Sequence, residues 1–180
     1  YFEGADRGIR FKTERGRGNV VQNIYIRNIR MKDIDQEAIN FNTYYSGPGL
    51  TGPSPLIRNI EIRDVQIDGV PMAINLVGLP DKWLENFTFE NISVKNAEKG
   101  VRLSRVKNLT LKNVTVQSES RAMVADDVFE LNLEGLKLED QADGPPLLFK
   151  GDESGAVFIH DLPMDDIEFG EGVSSDIIRE

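Results

Sequence analysis

The chain has 180 residues, 39% hydrophobic and 28% charged, enough for one domain with a packed core and too apolar for intrinsic disorder. Having no Cys and one His, His160, it excludes disulfides, Cys-ligated metals and multi-histidine metal sites, and it disfavours a His-based catalytic dyad. The net charge of −9 argues against nucleic acid as a partner, and no apolar run approaches the length of a membrane span.

The charge is unevenly spread. Residues 1–32 hold eight Lys/Arg against three acids, so the remaining 148 residues carry −14. Tyr1 opens partway through a repeat unit with no signal peptide before it, so the expectation is a processed or truncated product with coils missing upstream. Gly8–Lys12 (GIRFK) reads as a strand with Ile9 and Phe11 on one face and Arg10 and Lys12 on the other. Arg15 and Arg17 follow in a Gly-rich turn. Two cations side by side on a rigid strand suit a carboxylate, because Arg offers a planar fork of donors and Lys a point charge. On spacing alone, two solvated charges on an exposed face are the alternative.

A nine-residue pattern then recurs: polar, apolar, x, apolar, x, Asn/Asp/Gly, apolar, x, apolar. It runs through Asn23–Met31, Asn59–Ile67, Asn86–Val94, Asn108–Val116 and Glu130–Leu138, with a weaker copy at Ala156–Met164. The spacings are 36, 27, 22, 22 and 26 residues. Periods of this size, alternating strands and no helical pattern predict an all-β solenoid, a single parallel β-helix of about six coils. Stacked at about 4.8 Å, six coils make a rod on the order of 30 Å long. The sixth position of the repeat reads Asn28, Asp64, Asn91, Asn113, Gly135 and Asp161. Asn and Asp tolerate left-handed corners, and stacked amides can form ladders between coils. That reading is preferred to glycosylation for the Asn-x-Ser/Thr matches at Asn86, Asn91, Asn108 and Asn113.

Each unit carries a second short strand opened by a small residue or Pro, at Gly8–Lys12, Ala38–Asn42, Ala73–Val77, Gly100–Ser104, Ala122–Asp126 and Pro146–Lys150. The small residue is expected to serve a tight corner. One coil is lengthened by residues 42–56, a Gly/Pro-rich surface loop with Tyr44 and Tyr45 at its base as a possible binding wall. Trp83, in the turn Gly78–Leu84, is expected to anchor that turn. After Lys150 the pattern decays into an acidic tail, residues 165–180, expected to blunt the end of the stack. The whole of residues 1–180 reads as one β-helix domain.

The stretch Gly8–Met31 followed by Glu37–Gly47 resembles glycoside hydrolase family 28, the polygalacturonase-like pectinases, and the later coils look like that family's C-terminal coils. The family's Arg-x-Lys signature stands here as Arg10-Phe11-Lys12. The resemblance implies a right-handed, pectin-lyase-like β-helix that hydrolyses α-1,4 links between galacturonic acid units with inversion. It implies a secreted or periplasmic setting and no cofactor. Arg10 and Lys12 would bind the uronate carboxylate, and Tyr44 or Tyr45 would contact sugar. Asn40 and Asn42 join them as candidate substrate-binding residues because their strand register matches Arg10 and Lys12 one coil on; laddering between coils is their alternative role.

The departures limit the carry-over. The family's Asn-Thr-Asp, Asp-Asp and Gly-His-Gly motifs do not precede Arg10, so no catalytic residue is assigned in this chain and the catalytic acids are expected upstream of Tyr1. Asp126-Asp127 and Asp165-Asp166 are poor substitutes, the first lying about four coils, about 19 Å, from Lys12. His160 is expected to be structural. Two other readings stay open: a non-catalytic β-helix that binds acidic polysaccharide, and a pectinase acting on rhamnogalacturonan or branched galacturonan. The uncapped N-terminal coil could also stack on another chain.

Overall fold

A computed structural model describes residues 1–46 and 49–179; Gly47 and Pro48 of the 42–56 loop, and Glu180, lie outside the described residues. The strands in chain order are β1 (Phe2–Glu3), β2 (Ile9–Lys12), β3 (Val20–Lys32), β4 (Glu37–Asn42), β5 (Leu56–Val77) and β6 (Leu84–Ser118). They continue with β7 (Met123–Glu134), β8 (Lys137–Asp140), β9 (Leu147–Lys150), β10 (Gly155–His160), β11 (Ile167–Phe169) and β12 (Ile178–Arg179). The ladders between these strands are parallel, and each long strand wraps onto the coil before it, as a parallel β-helix requires.

The long strands bend at left-handed residues. The sixth repeat position has positive φ in every copy: Asn28 60°, Asp64 57°, Asn91 57°, Asn113 52°, Gly135 61° and Asp161 68°. So does the first position, at Asn23, Asn59, Asn86, Asn108, Glu130 and Ala156. Short polar side chains bear this conformation because they bond locally, here to the coil below. Asn59, Asn86 and Asn108 each donate Nδ2 to the Oδ1 of Asn23, Asn59 and Asn86 at 2.8–3.0 Å. Asn91 donates to Asp64 at 2.9 Å and Asn113 to Asn91 at 3.2 Å. All four Asn-x-Ser/Thr asparagines therefore use their amides in ladders.

Between the corners, alternate residues point inward. One wall stacks Ile9, Ile39, Ile74, Val101, Met123, Leu147 and Ile167, seven rungs in register. The seventh comes from the tail, where the repeat is too decayed to read in the sequence. Phe11 stacks on Phe41 at 5.0 Å, and Phe41 meets Phe87 edge-on at 5.2 Å. Small residues before the second strands answer to space and not to backbone angle: a Cβ at Gly8 would lie 2.3 Å from the Ala38 carbonyl oxygen, and at Gly100 2.0 Å from that of Ala122. Neither glycine has positive φ, so the expected corner is instead a close approach between coils.

The first rung is less covered than the one next to it. Phe11, Ile24, Ile26 and Ile29 are partly buried against the core, whereas Phe41, Ile60, Ile62 and Val65 on the next rung are 0–2% exposed. At the far end, β11 stacks on β9 and β12 on β10. Among the described residues no helix is long and apolar enough to cross a membrane.

If strained corners and amide ladders fix the coil register, Asn91→Ala lowers unfolding free energy by about 1–2 kcal/mol, and Asn91→Gly by clearly less because Gly keeps the left-handed turn. Urea unfolding of the two variants checks this, and equal losses would contradict it.

Candidate functional site

The face of interest is the outer side of the wall that begins at β2. Because Ile9 faces the core and Phe11 packs on Phe41, Arg10 and Lys12 are turned outward. Their in-register partners one rung on are Asn40 and Asn42. No carboxylate among the described residues lies within ion-pair distance of Arg10 or Lys12. Instead Tyr45 lies across both, with Lys12 Nζ 4.2 Å and Arg10 Cζ 5.3 Å from the ring centroid. Cations within about 6 Å of an aromatic face are attracted to its quadrupole. Hydrogen bonding to Lys12, then to Arg10, and the two charges hold the Tyr45 hydroxyl below the usual phenol range. Tyr45 is 48% exposed, so the cluster opens to solvent. The arrangement offers a fork of N–H donors, an ammonium and an aromatic face in one place, which can seat a carboxylate-bearing ring.

The other candidates fall into different roles. Asn42 accepts the Tyr44 N–H on Oδ1 at 2.8 Å, the turn that starts the 42–56 loop. Asn40 is 4% exposed and accepts from Asn75 Nδ2 at 3.3 Å, a ladder contact. Tyr44 and Tyr45 both line a neighbouring cavity of about 170 Å³ with Glu14, Arg15 and Leu79. Of the two tyrosines, Tyr45 is the one whose ring covers the cation pair.

The loop is fastened to the turn that follows β2. Gly16 N–H donates to the Pro53 carbonyl at 2.9 Å, and the Ser46 hydroxyl bonds Glu14. A Cβ on Gly52, whose φ is 102°, would come within 3.0 Å of Gly16 Cα. Arg15 forks to Asp81 and donates to Ser54 at 2.7 Å, and the Ser54 hydroxyl donates to Asp81 at 2.6 Å. Hydrogen bonds from Arg15 and then Ser54 pull the Asp81 carboxyl down to about 2. Arg17 pairs with Glu14 at 3.2 Å. Arg15, grouped in the sequence with Arg10 and Lys12, therefore holds the loop that carries Tyr45, and Arg17 braces Glu14 within the turn beneath it. No pattern in the sequence links Arg15 to Asp81, 66 residues away.

The remaining acids are spoken for or distant. Asp126 stands on the Lys12 row, through Asn42, Val77 and Ser104, and pairs with Lys150 at 3.5 Å. Asp127 is a left-handed corner, φ 53°, 7% exposed and 3.7 Å from Arg105. Asp165 and Asp166 form a single 3-10 turn, and His160 is exposed beside Glu134 on β10. Trp83 is half-buried in the turn closed by the Leu79–Lys82 bridge.

Comparison with known proteins places a likeness on part of the chain. Over 102 residues, 55% of the chain, it is 28% identical to a probable polygalacturonase of Vitis vinifera. The match spans about one fifth of the length of that relative, 21%. No family model matches the chain, and no solved structure matches it.

Replacing Arg15 removes the largest cause of the low Asp81 value. In the native chain Asp81 supports loop docking fully above the ordinary carboxylate range, and that support is lost as pH falls through about 2. Arg15→Gln moves the Asp81 titration, followed by carboxylate NMR, up toward the ordinary value and speeds protease cutting in residues 42–56. An unmoved midpoint would show that Arg15 does not hold the loop.

Proposed function

We propose that this chain is the later part of a pectin-degrading glycoside hydrolase, in which Arg10 and Lys12, roofed by Tyr45, bind the carboxylate of a galacturonate unit beside the scissile bond. The observation that carries this reading is the pair of cations with no acidic partner among the described residues, covered by an aromatic ring in a body that is otherwise acidic. The partial likeness to a polygalacturonase supports the substrate class. Asn40, Asn42 and Tyr44 shape the site: Asn40 braces the wall, Asn42 sets the loop, and Tyr44 borders the adjoining cavity.

Inverting hydrolysis of a glycosidic bond needs a general acid on the leaving oxygen and a carboxylate that activates water, about 6.5–9.5 Å apart. These groups belong on coils stacked against the first rung, whose half-buried Phe11, Ile24, Ile26 and Ile29 are suited to further packing. The carboxylate clamp then orients the sugar so that acid and water meet the anomeric carbon from opposite sides. No cofactor is required, and a polymeric pectic substrate places the protein in a secreted or periplasmic setting. Residues 165–180 serve as the far cap.

A second reading has its own support. No paired carboxylates flank Arg10 and Lys12 among the described residues, which favours a β-helix that holds acidic polysaccharide without cleaving it. Reducing-end assays on polygalacturonate separate the two. The expected outcome is no release by residues 1–180 alone and release by a longer protein that contains the upstream coils. In that protein Arg10→Ala lowers kcat/KM by at least about tenfold, the effect of losing one charge-assisted contact. Turnover by residues 1–180 alone would contradict the placement of the acids, and unchanged kinetics would return Arg10 to a solvated charge.

A further inference from the structure

The row that begins at Arg10 runs on through Asn40 and Asn75 to Arg102, one residue per rung. Three steps at about 4.8 Å put Arg102 about 14 Å along the stack from Arg10. Arg102 and Lys99 open onto a cavity of about 260 Å³, whose wall includes Met72, Val124, Arg121 and Asp126. Arg121 pairs with Glu168 at 2.5 Å, and Asp126 pairs with Lys150 at 3.5 Å. Lys99 and Arg102 are exposed and have no acidic partner within ion-pair distance among the described residues. Two surplus cations thus sit in one concave place on a body with a strong negative charge. The apolar sides of Met72 and Val124 supply a surface for the C–H face of a ring.

We propose that Lys99 and Arg102 form a second carboxylate-binding subsite, so that an acidic polysaccharide lies along this wall and is held at two points about 14 Å apart. The inference rests on the uronate reading of Arg10 and Lys12 and names a partner long enough to reach both. Between the two points the row continues beneath the surface as the buried Asn40–Asn75 ladder, in which Asn75 Oδ1 has no hydrogen-bond partner. Neutral amides there neither repel the chain nor compete for its carboxylates. Two-point binding makes the second contact intramolecular, so affinity rises sharply once the ligand bridges the gap.

The test is titration of residues 1–180 with de-esterified oligogalacturonides from dimer to octamer, comparing native chain, Arg10→Ala and the double variant Lys99→Gln/Arg102→Gln. The expected result is native binding that tightens abruptly when the oligomer spans the gap. The double variant loses about tenfold or more for long oligomers and nothing for the dimer. Arg10→Ala weakens all lengths, and the charge-keeping double variant Lys99→Arg/Arg102→Lys, a control for folding, restores length dependence. If Arg10→Ala weakens binding while the double variant matches the native chain at every length, the second subsite is overturned and the uronate reading stands. If neither variant changes binding, both fail together. Equal affinity for a sulfated glycan of matched length would overturn the assignment to carboxylates.

Discussion

Two columns of left-handed corners, tied by side-chain amides from Asn23 to Asn108 and from Asp64 to Asn113, set the register of the solenoid, and the placement of every outward side chain depends on that register. A one-residue slip would exchange inward and outward side chains along a whole strand, burying Arg10 and Lys12 and exposing Ile9 and Phe11. The corners resist this because Asn, Asp and Gly adopt φ near +60° at little cost, and they fill every corner of the two columns but Glu130 and Ala156. The amide ladder adds a second, smaller constraint, since an Asn out of step at these exposed corners would exchange its inter-coil bond for water.

Once register is fixed, function becomes a matter of rows. Arg10, Asn40, Asn75 and Arg102 form one outward row, and Lys12, Asn42, Val77, Ser104 and Asp126 another. The backbone spaces these groups at a single repeat distance, a natural ruler for a polymer lying along the axis. The inserted loop then does what the coils cannot, bringing an aromatic face over the first two cations. It is held there by Arg15, Ser54 and Asp81, so the cations of the turn serve the site at one remove.

The sequence revealed the solenoid well because each constraint leaves a residue-level mark. Alternating Ile, Val, Leu and Phe mark the inner face, and Asn28, Asp64, Asn91 and Asn113 mark the corners. The match of Asn40 and Asn42 to Arg10 and Lys12 was legible in the same way. The second column of left-handed residues was only half legible, since Glu130 and Ala156 have no turn-forming signature. The roles of Gly8 and Gly100 were misread as corner geometry because a sequence does not show which carbonyl lies across the coil. The choice between Tyr44 and Tyr45, and the Arg15–Asp81 clasp, depend on how an irregular loop folds back. No periodicity encodes that path.

The central claim is that Arg10, Lys12 and Tyr45 together receive a uronate carboxylate. Its most direct test is a crystal structure of residues 1–180 soaked with digalacturonate. The account predicts one carboxylate within hydrogen-bond distance of both the Arg10 guanidinium and the Lys12 ammonium, with the sugar ring against Tyr45. A ligand bound elsewhere on the chain, or a carboxylate turned to solvent with Tyr45 unmoved from the two cations, would contradict it.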